Sequence, residues 1–140
     1  MHHDKHVRDL MTSNPRTIHT STTIAEAARA MKEEDVGPLP IVDGDRLTGI
    51  LTDRDIVTRV VAEGKDPQGT TAGETASREL VTVDPQQGLD EALRLMEQHQ
   101  VRRLPVCEED GRLVGILAQA DIARLGHDER TGEVVESISR

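Results

Sequence analysis

The chain is written twice. Ile24, Ala27, Ala28 and Met31 form an apolar stripe at the i, i+3, i+4, i+7 spacing of an amphipathic helix. Leu89, Ala92, Leu93 and Met96 repeat that stripe 65 residues later. Each stripe leads into a short apolar run around a proline, Leu39-Pro40-Ile41-Val42 and Leu104-Pro105-Val106-Cys107. A polar turn follows, Asp43-Gly44-Asp45 and Glu109-Asp110-Gly111, and then Arg46-Leu47-Thr48-Gly49-Ile50-Leu51 and Arg112-Leu113-Val114-Gly115-Ile116-Leu117. Gly115 lies 66 residues after Gly49, so the second turn is one residue longer. Each copy closes on an acidic residue that opens another helix, Asp55-Ile56-Val57 and Asp121-Ile122-Ala123. Self-similarity at a fixed period restricts the fold to architectures built from two like units.

Each copy reads as helix, strand, turn, strand, helix, with an extended lead-in at Arg16-Thr17-Ile18-His19 and at Leu80-Val81-Thr82-Val83. Proline in the first strand of each hairpin suggests an edge position or a missing ladder bond, and Asp-Gly is a hairpin signal. The repeats are expected over 7–63 and 71–125, with a linker at 64–70 and a tail at 126–140. Gly64 should stop a helix, and Pro67 and Gly69 should keep the linker open. Val134, Val135 and Ile138 suit a short helix in the tail. A single copy of about 60 residues holds only a marginal core. Two copies packed sheet to sheet make one α/β domain with a pseudo-twofold axis and two related clefts, the kind of place where small ligands bind.

Composition narrows the function. Among 140 residues there is no Phe, Tyr or Trp, where roughly ten would be usual. Stacking platforms for single-stranded nucleic acid and aromatic cages for methylammonium groups cannot be built. A formal net charge of -9 also argues against a phosphate-backbone binder. No apolar run approaches the roughly 20 residues of a membrane span. Met1 to His6 has no apolar stretch of the secretory kind, and the one cysteine, Cys107, cannot form an internal disulfide, so a cytoplasmic location is expected. Cys107 stands where the first copy has Val42 and reads as a small core residue. Hydrolase, Walker and dinucleotide-binding signatures are absent, and no catalysis is expected.

The ordered pair of Gly49-Ile50-Leu51-Thr52-Asp53-Arg54-Asp55 and Gly115-Ile116-Leu117-Ala118-Gln119-Ala120-Asp121, each behind a Leu-Pro strand, resembles the tandem CBS-domain pair over Val7 to Leu125. The resemblance implies two CBS repeats, each a short sheet flanked by helices, packed with pseudo-twofold symmetry into one Bateman module. It implies a regulatory sensor, a homodimer, that holds an adenine nucleotide in the cleft between repeats and signals to a separate effector protein. AMP is the expected ligand, with ATP and ADP as alternatives.

Two readings of Thr52-Asp53-Arg54-Asp55 stand side by side. One is a capping box, Thr52 capping the helix and Asp55 reaching back. The other, which the resemblance implies, sets Thr52 on a phosphate and Asp55 on a ribose. In the second copy Ala118 removes the hydroxyl while Asp121 remains, so by the family pattern the Thr52–Asp55 set is the complete one. Arg102 and Arg103 precede Leu104-Pro105 where the first copy has Gly37-Pro38. They read either as solvated surface or, by resemblance, as phosphate ligands through their planar guanidinium groups. Without aromatics an adenine must be held by aliphatic groups. Ile18 and Val83, with Pro40 and Pro105, are the implied walls, and core packing is their other reading. Two further readings stay open: a ligand-free, stress-associated interaction protein, and a metal-responsive protein using His2, His3 and His6.

Overall fold

The computed structural model describes residues 5–77 and 79–125. His2, His3 and the tail from residue 126 lie outside the described residues. The chain divides into two compact units. The first-repeat unit comprises Asn14–Leu80 and Cys107–Leu113; the second-repeat unit comprises, of the described residues, 5–13, 81–106 and 114–125.

In the first-repeat unit, strand β2 (Ile18–His19) lies parallel to β3 (Leu39–Asp43), which runs antiparallel to β4 (Arg46–Leu51). Helix α2 (Ile24–Glu34) opens on a Thr23–Glu26 capping box. It buries Ile24, Ala27, Ala30 and Met31. The helix was expected to bury Ala28, which is exposed; Ala30 takes its place in the core. Helix α3 (Asp53–Ile56) continues as a π-helical segment, Val57–Val61, and Gly64 ends the run at φ 69°. The stretch 64–70 is hydrogen-bonded rather than open. The Pro67 carbonyl accepts from the Ala25 amide at 3.0 Å and the Thr70 carbonyl from the Ile24 amide at 2.9 Å. A further short helix, α4, spans Ala72–Thr75.

In the second-repeat unit the sheet order is β1 (Thr12–Ser13), β6 (Leu113–Ala118), β5 (Arg103–Cys107), and residues 119–125 are helical. Helix α5 (Leu89–His99) buries Leu89, Ala92 and Met96. The expected lead-in strand at Leu80 to Val83 contributes only a bridge, Val83 to Val106. Pro105 sits on the outer strand β5, as a strand proline should. Pro40 does not: it lies on the middle strand β3, opposite Ile50. It is tolerated there because β2 meets β3 at Ile41 and Val42, so no partner on that side calls on a Pro40 amide.

The units do not follow the sequence repeats, because the lead-in segments are exchanged. Helix α1 (Val7–Leu10) opens the first repeat but belongs to the second-repeat unit. There the Val7 amide donates to Gln87 at 2.8 Å, the Arg8 amide to Pro85 at 3.0 Å, and Val7 is fully buried. The same bonds recur 65 residues later inside the first-repeat unit: Ala72 to Thr22 at 2.7 Å and Gly73 to Thr20 at 2.9 Å. Each lead-in then lies against the central glycine of a Gly-Ile pair. Thr12 and Ser13 pair with Ile116 and Gly115, and Ser77 bridges to Ile50. A Cβ at Gly115 would stand 2.6 Å from Met11 Sδ and 2.9 Å from the Thr12 carbonyl; at Gly49 it would stand 3.4 Å from the Ser77 carbonyl. Glycine recurs at this place because another segment's backbone passes over it. The tip of the second hairpin also crosses over, with the Leu47 amide on Gly111 at 3.1 Å and the Leu113 amide on Asp45 at 2.9 Å. Two aliphatic cores result, one around Leu39, Ile41 and Leu51, the other around Leu104, Val106 and Leu117.

Candidate functional site

The residues that follow the Gly-Ile strands do different work in the two repeats. In the first, Thr52 Oγ1 accepts from the Asp55 amide at 3.1 Å and Asp55 Oδ2 accepts from the Thr52 amide at 3.0 Å. This is the reciprocal capping box, so one of the two readings of the segment is realised in the structure. The Asp55 side chain is 13% exposed, and its second oxygen lies 3.9 Å from Arg59 Nη1. Arg59 in turn donates to the Thr75 carbonyl at 2.8 Å, tying the π-helical segment to α4. Asp53 Oδ1 accepts from the Arg54 amide at 2.9 Å.

In the second repeat Ala118 offers no hydroxyl. The helical stretch that follows is tied down by the Gln119 amide, which donates to the Arg102 carbonyl at 2.7 Å. Its first-repeat equivalent is the Asp53 amide on the Gly37 carbonyl at 3.2 Å. Asp121 is turned to Arg124, whose guanidinium donates to its carboxylate.

A cavity of ≈ 690 Å³ opens in the second-repeat unit, within the range of small-molecule sites, about 300–1,000 Å³. Arg102 and Arg103 line it from the start of β5, and Ala118, Gln119 and Ala120 from the end of β6 and the helical turn beyond. Leu93, Ile122 and Ala123 complete an aliphatic wall. The space exists because small side chains surround it: Ala118, Ala120 and Ala123 stand where the first repeat has Thr52, Arg54 and Val57. No carboxylate lines it, and neither guanidinium has a partner among the described residues. Two arginines facing an apolar pocket can bind an anionic group in a forked geometry.

The sites expected from sequence are thus sorted. Arg102 and Arg103 share one cavity; Asp121 stands beside it without lining it. Thr52, Asp53, Arg54 and Asp55 form one capped turn. Ile18 and Val83 are members of the two cores, and Pro40 and Pro105 are buried on their strands. Gln119, Leu93 and the three alanines were missed by sequence reasoning. Aligning the repeats residue by residue would have flagged Gln119, which stands where Asp53 does. Cys107 is buried, and burial pushes its thiol up from its ordinary value. Among the described residues no group of His, Cys, Asp and Glu could hold a metal, and His6 Nδ1 lies 3.8 Å from Asp9 Oδ2. No described helix is long and apolar enough to cross a membrane.

Comparison with known proteins places this geometry. Hypoxic response protein 1 of Mycobacterium tuberculosis is 49% identical over 118 residues, covering 84% of this chain and 82% of that protein. A crystal structure of Hypoxic Response Protein I with two coordinated zinc ions superposes with a TM-score of 0.78 at 48% identity, over 86% of this chain and 98% of that one. The CBS domain pair of protein MJ0100, in complex with 5'-methylthioadenosine and S-adenosyl-L-methionine, has a TM-score of 0.79 at 30% identity, over 89% and 98%. CBSX2 in complex with AMP has a TM-score of 0.77 at 27% identity, over 89% and 98%. The CBS domain matches residues 7–62 and again 72–128, so this chain belongs to the CBS domain family and carries two copies of the domain in tandem.

Proposed function

We propose that the chain is a non-catalytic regulatory module that binds an adenine nucleotide, AMP first among the candidates, with its phosphate on Arg102 and Arg103. The cavity carries this reading: two guanidinium groups without a partner among the described residues, at the rim of an aliphatic pocket of nucleotide size that no described carboxylate lines. Two relatives of the same fold support it, one held with AMP and one with adenosyl ligands. The base would lie against Leu93 and Ile122, since no ring is available to stack on it. Ligand binding would change the packing of the module, and a separate cytoplasmic effector protein would read that change. The module acts as a homodimer in this reading. Val57 and Val61, 57% and 66% exposed one helical turn apart, supply an apolar face that a second copy would cover.

Calorimetric titration with AMP, ADP, ATP, NAD and S-adenosylmethionine tests the reading. AMP or a near relative should bind, and the Arg102→Gln/Arg103→Gln pair should weaken it by about tenfold or more. If no adenine-bearing ligand binds, the proposal is refuted. The chain offers a second readout: without Trp or Tyr its near-ultraviolet absorbance is minimal, so a 260 nm band that survives desalting and leaves on denaturation reports a bound nucleotide.

A further inference from the structure

The two repeats place equivalent backbone in equivalent positions but surround it with opposite chemistry. The Asp53 amide on Gly37 and the Gln119 amide on Arg102 are the same bond in the two copies. At this bond the second repeat carries two cations, Arg102 and Arg103, beside a neutral Gln119. The first carries Gly37 and Pro38 beside the carboxylate of Asp53. That carboxylate is folded back over the bend before β3: a Cβ at Gly37 would stand 3.0 Å from Asp53 Oδ1 and 3.5 Å from Oδ2. It therefore occupies the space beside the place where an arginine side chain leaves the backbone in the second repeat. Arg54, standing where Ala120 stands, leaves the first set with one cation and one anion, against two cations and no anion.

Resting on the nucleotide reading above, we propose that Asp53 is a specificity residue that bars phosphate from the first repeat, so that each chain takes one phosphate-bearing ligand, at Arg102 and Arg103. A carboxylate repels a phosphate dianion and withholds the space its counter-cation would need. Ligand charge, rather than the adenine, then distinguishes the two copies.

Titration of the full chain with AMP, adenosine and inorganic pyrophosphate tests this. Wild type should take one AMP and one pyrophosphate per chain. The Arg102→Gln/Arg103→Gln pair should lose both by about tenfold or more. Asp53→Gln combined with Gly37→Arg, Arg54→Ala and Val57→Ala, which brings the charge and the small wall residues of the second repeat into the first, should gain a second phosphate-dependent site. Asp53→Gln with Arg54→Ala and Val57→Ala, all at exposed side chains, is the variant that keeps the question answerable if the larger set does not fold, and it should show the second site more weakly. Two AMP of similar affinity on wild type would overturn the inference and leave the nucleotide reading standing. So would a second site that fails to appear in the folded Asp53 variants. If pyrophosphate follows the expected pattern while AMP and adenosine bind no better than pyrophosphate, the nucleotide reading falls and the charge asymmetry remains. If nothing binds, both fall.

Discussion

Thr52→Ala separates the two readings of the first repeat. The substitution removes one acceptor, Oγ1, from an amide 3.1 Å away and leaves the Asp55 side chain on the Thr52 amide at 3.0 Å. Loss of a hydroxyl cap costs about 1 kcal/mol, within about 0.5–2. Unfolding entropy of about 2.1 cal/mol/K per residue over a chain of this length gives about 0.3 kcal/mol per degree, so Tm should fall by about 3 °C. Asp55→Ala goes further. It strips the other half of the box, and hydrogen bonds to charged groups are worth about 1.5–3 kcal/mol. The contact to Arg59 at 3.9 Å adds only a few tenths, because Arg59 is half exposed. The double variant should cost less than the sum of the two, by about 0.5 kcal/mol or more, since each half of the box orients the other. Urea unfolding at neutral pH measures all three. If Thr52→Ala leaves stability unchanged within about 0.3 kcal/mol and instead weakens AMP, the hydroxyl serves a ligand and the capping account is wrong.

Other expectations are independent of that pair. Gly115→Ala should cost about 1–3 kcal/mol, because its Cβ would meet Met11 and Thr12 at 2.6 and 2.9 Å, whereas Gly88→Ser, in open space at the N-cap of α5, should gain a few tenths; denaturant midpoints compare them. Cys107 should resist a thiol reagent until the chain unfolds. Burial raises its folded pKa above the unfolded value, so the associated stability is present below the unfolded pKa and is lost as pH rises toward the folded one. Cys107→Val, which copies Val42, should remove that alkaline decline in pH-dependent unfolding. If the proposed dimer forms through the face of Val57 and Val61, Val57→Glu combined with Val61→Glu should give a monomer in light scattering with unchanged far-ultraviolet circular dichroism, because both side chains are exposed on the single chain. An unchanged mass would remove that face from the dimer.

What was legible in the sequence is what short range decides. The α2 and α5 stripes, the Asp43-Gly44 hairpin with Gly44 at φ 67°, the Gly64 stop and the Thr52–Asp55 box each involve residues within a turn or two of one another. The exchange of lead-ins was not legible, since a period reveals which residues are equivalent but not which copy each packs against. Val7 and Ala72 are equivalent by position, and each completes the core of the unit built on the other repeat. The cavity was half legible. Arg102 and Arg103 stand out in the sequence, but a pocket depends on what is missing around them, and Ala118, Ala120 and Ala123 read as ordinary small residues until the end of β6 and the helical stretch after it set them around one cavity. The loss of the Thr52 hydroxyl at Ala118 therefore has two sides: it removes a cap and makes room. A repeat that keeps its cap fills the space beside it with Asp53 and Arg54, and a repeat that gives the cap up opens a basic pocket. Duplication supplied two copies of one scaffold, and the side chains after the Gly-Ile strand cap a helix in one copy and line a basic cavity in the other.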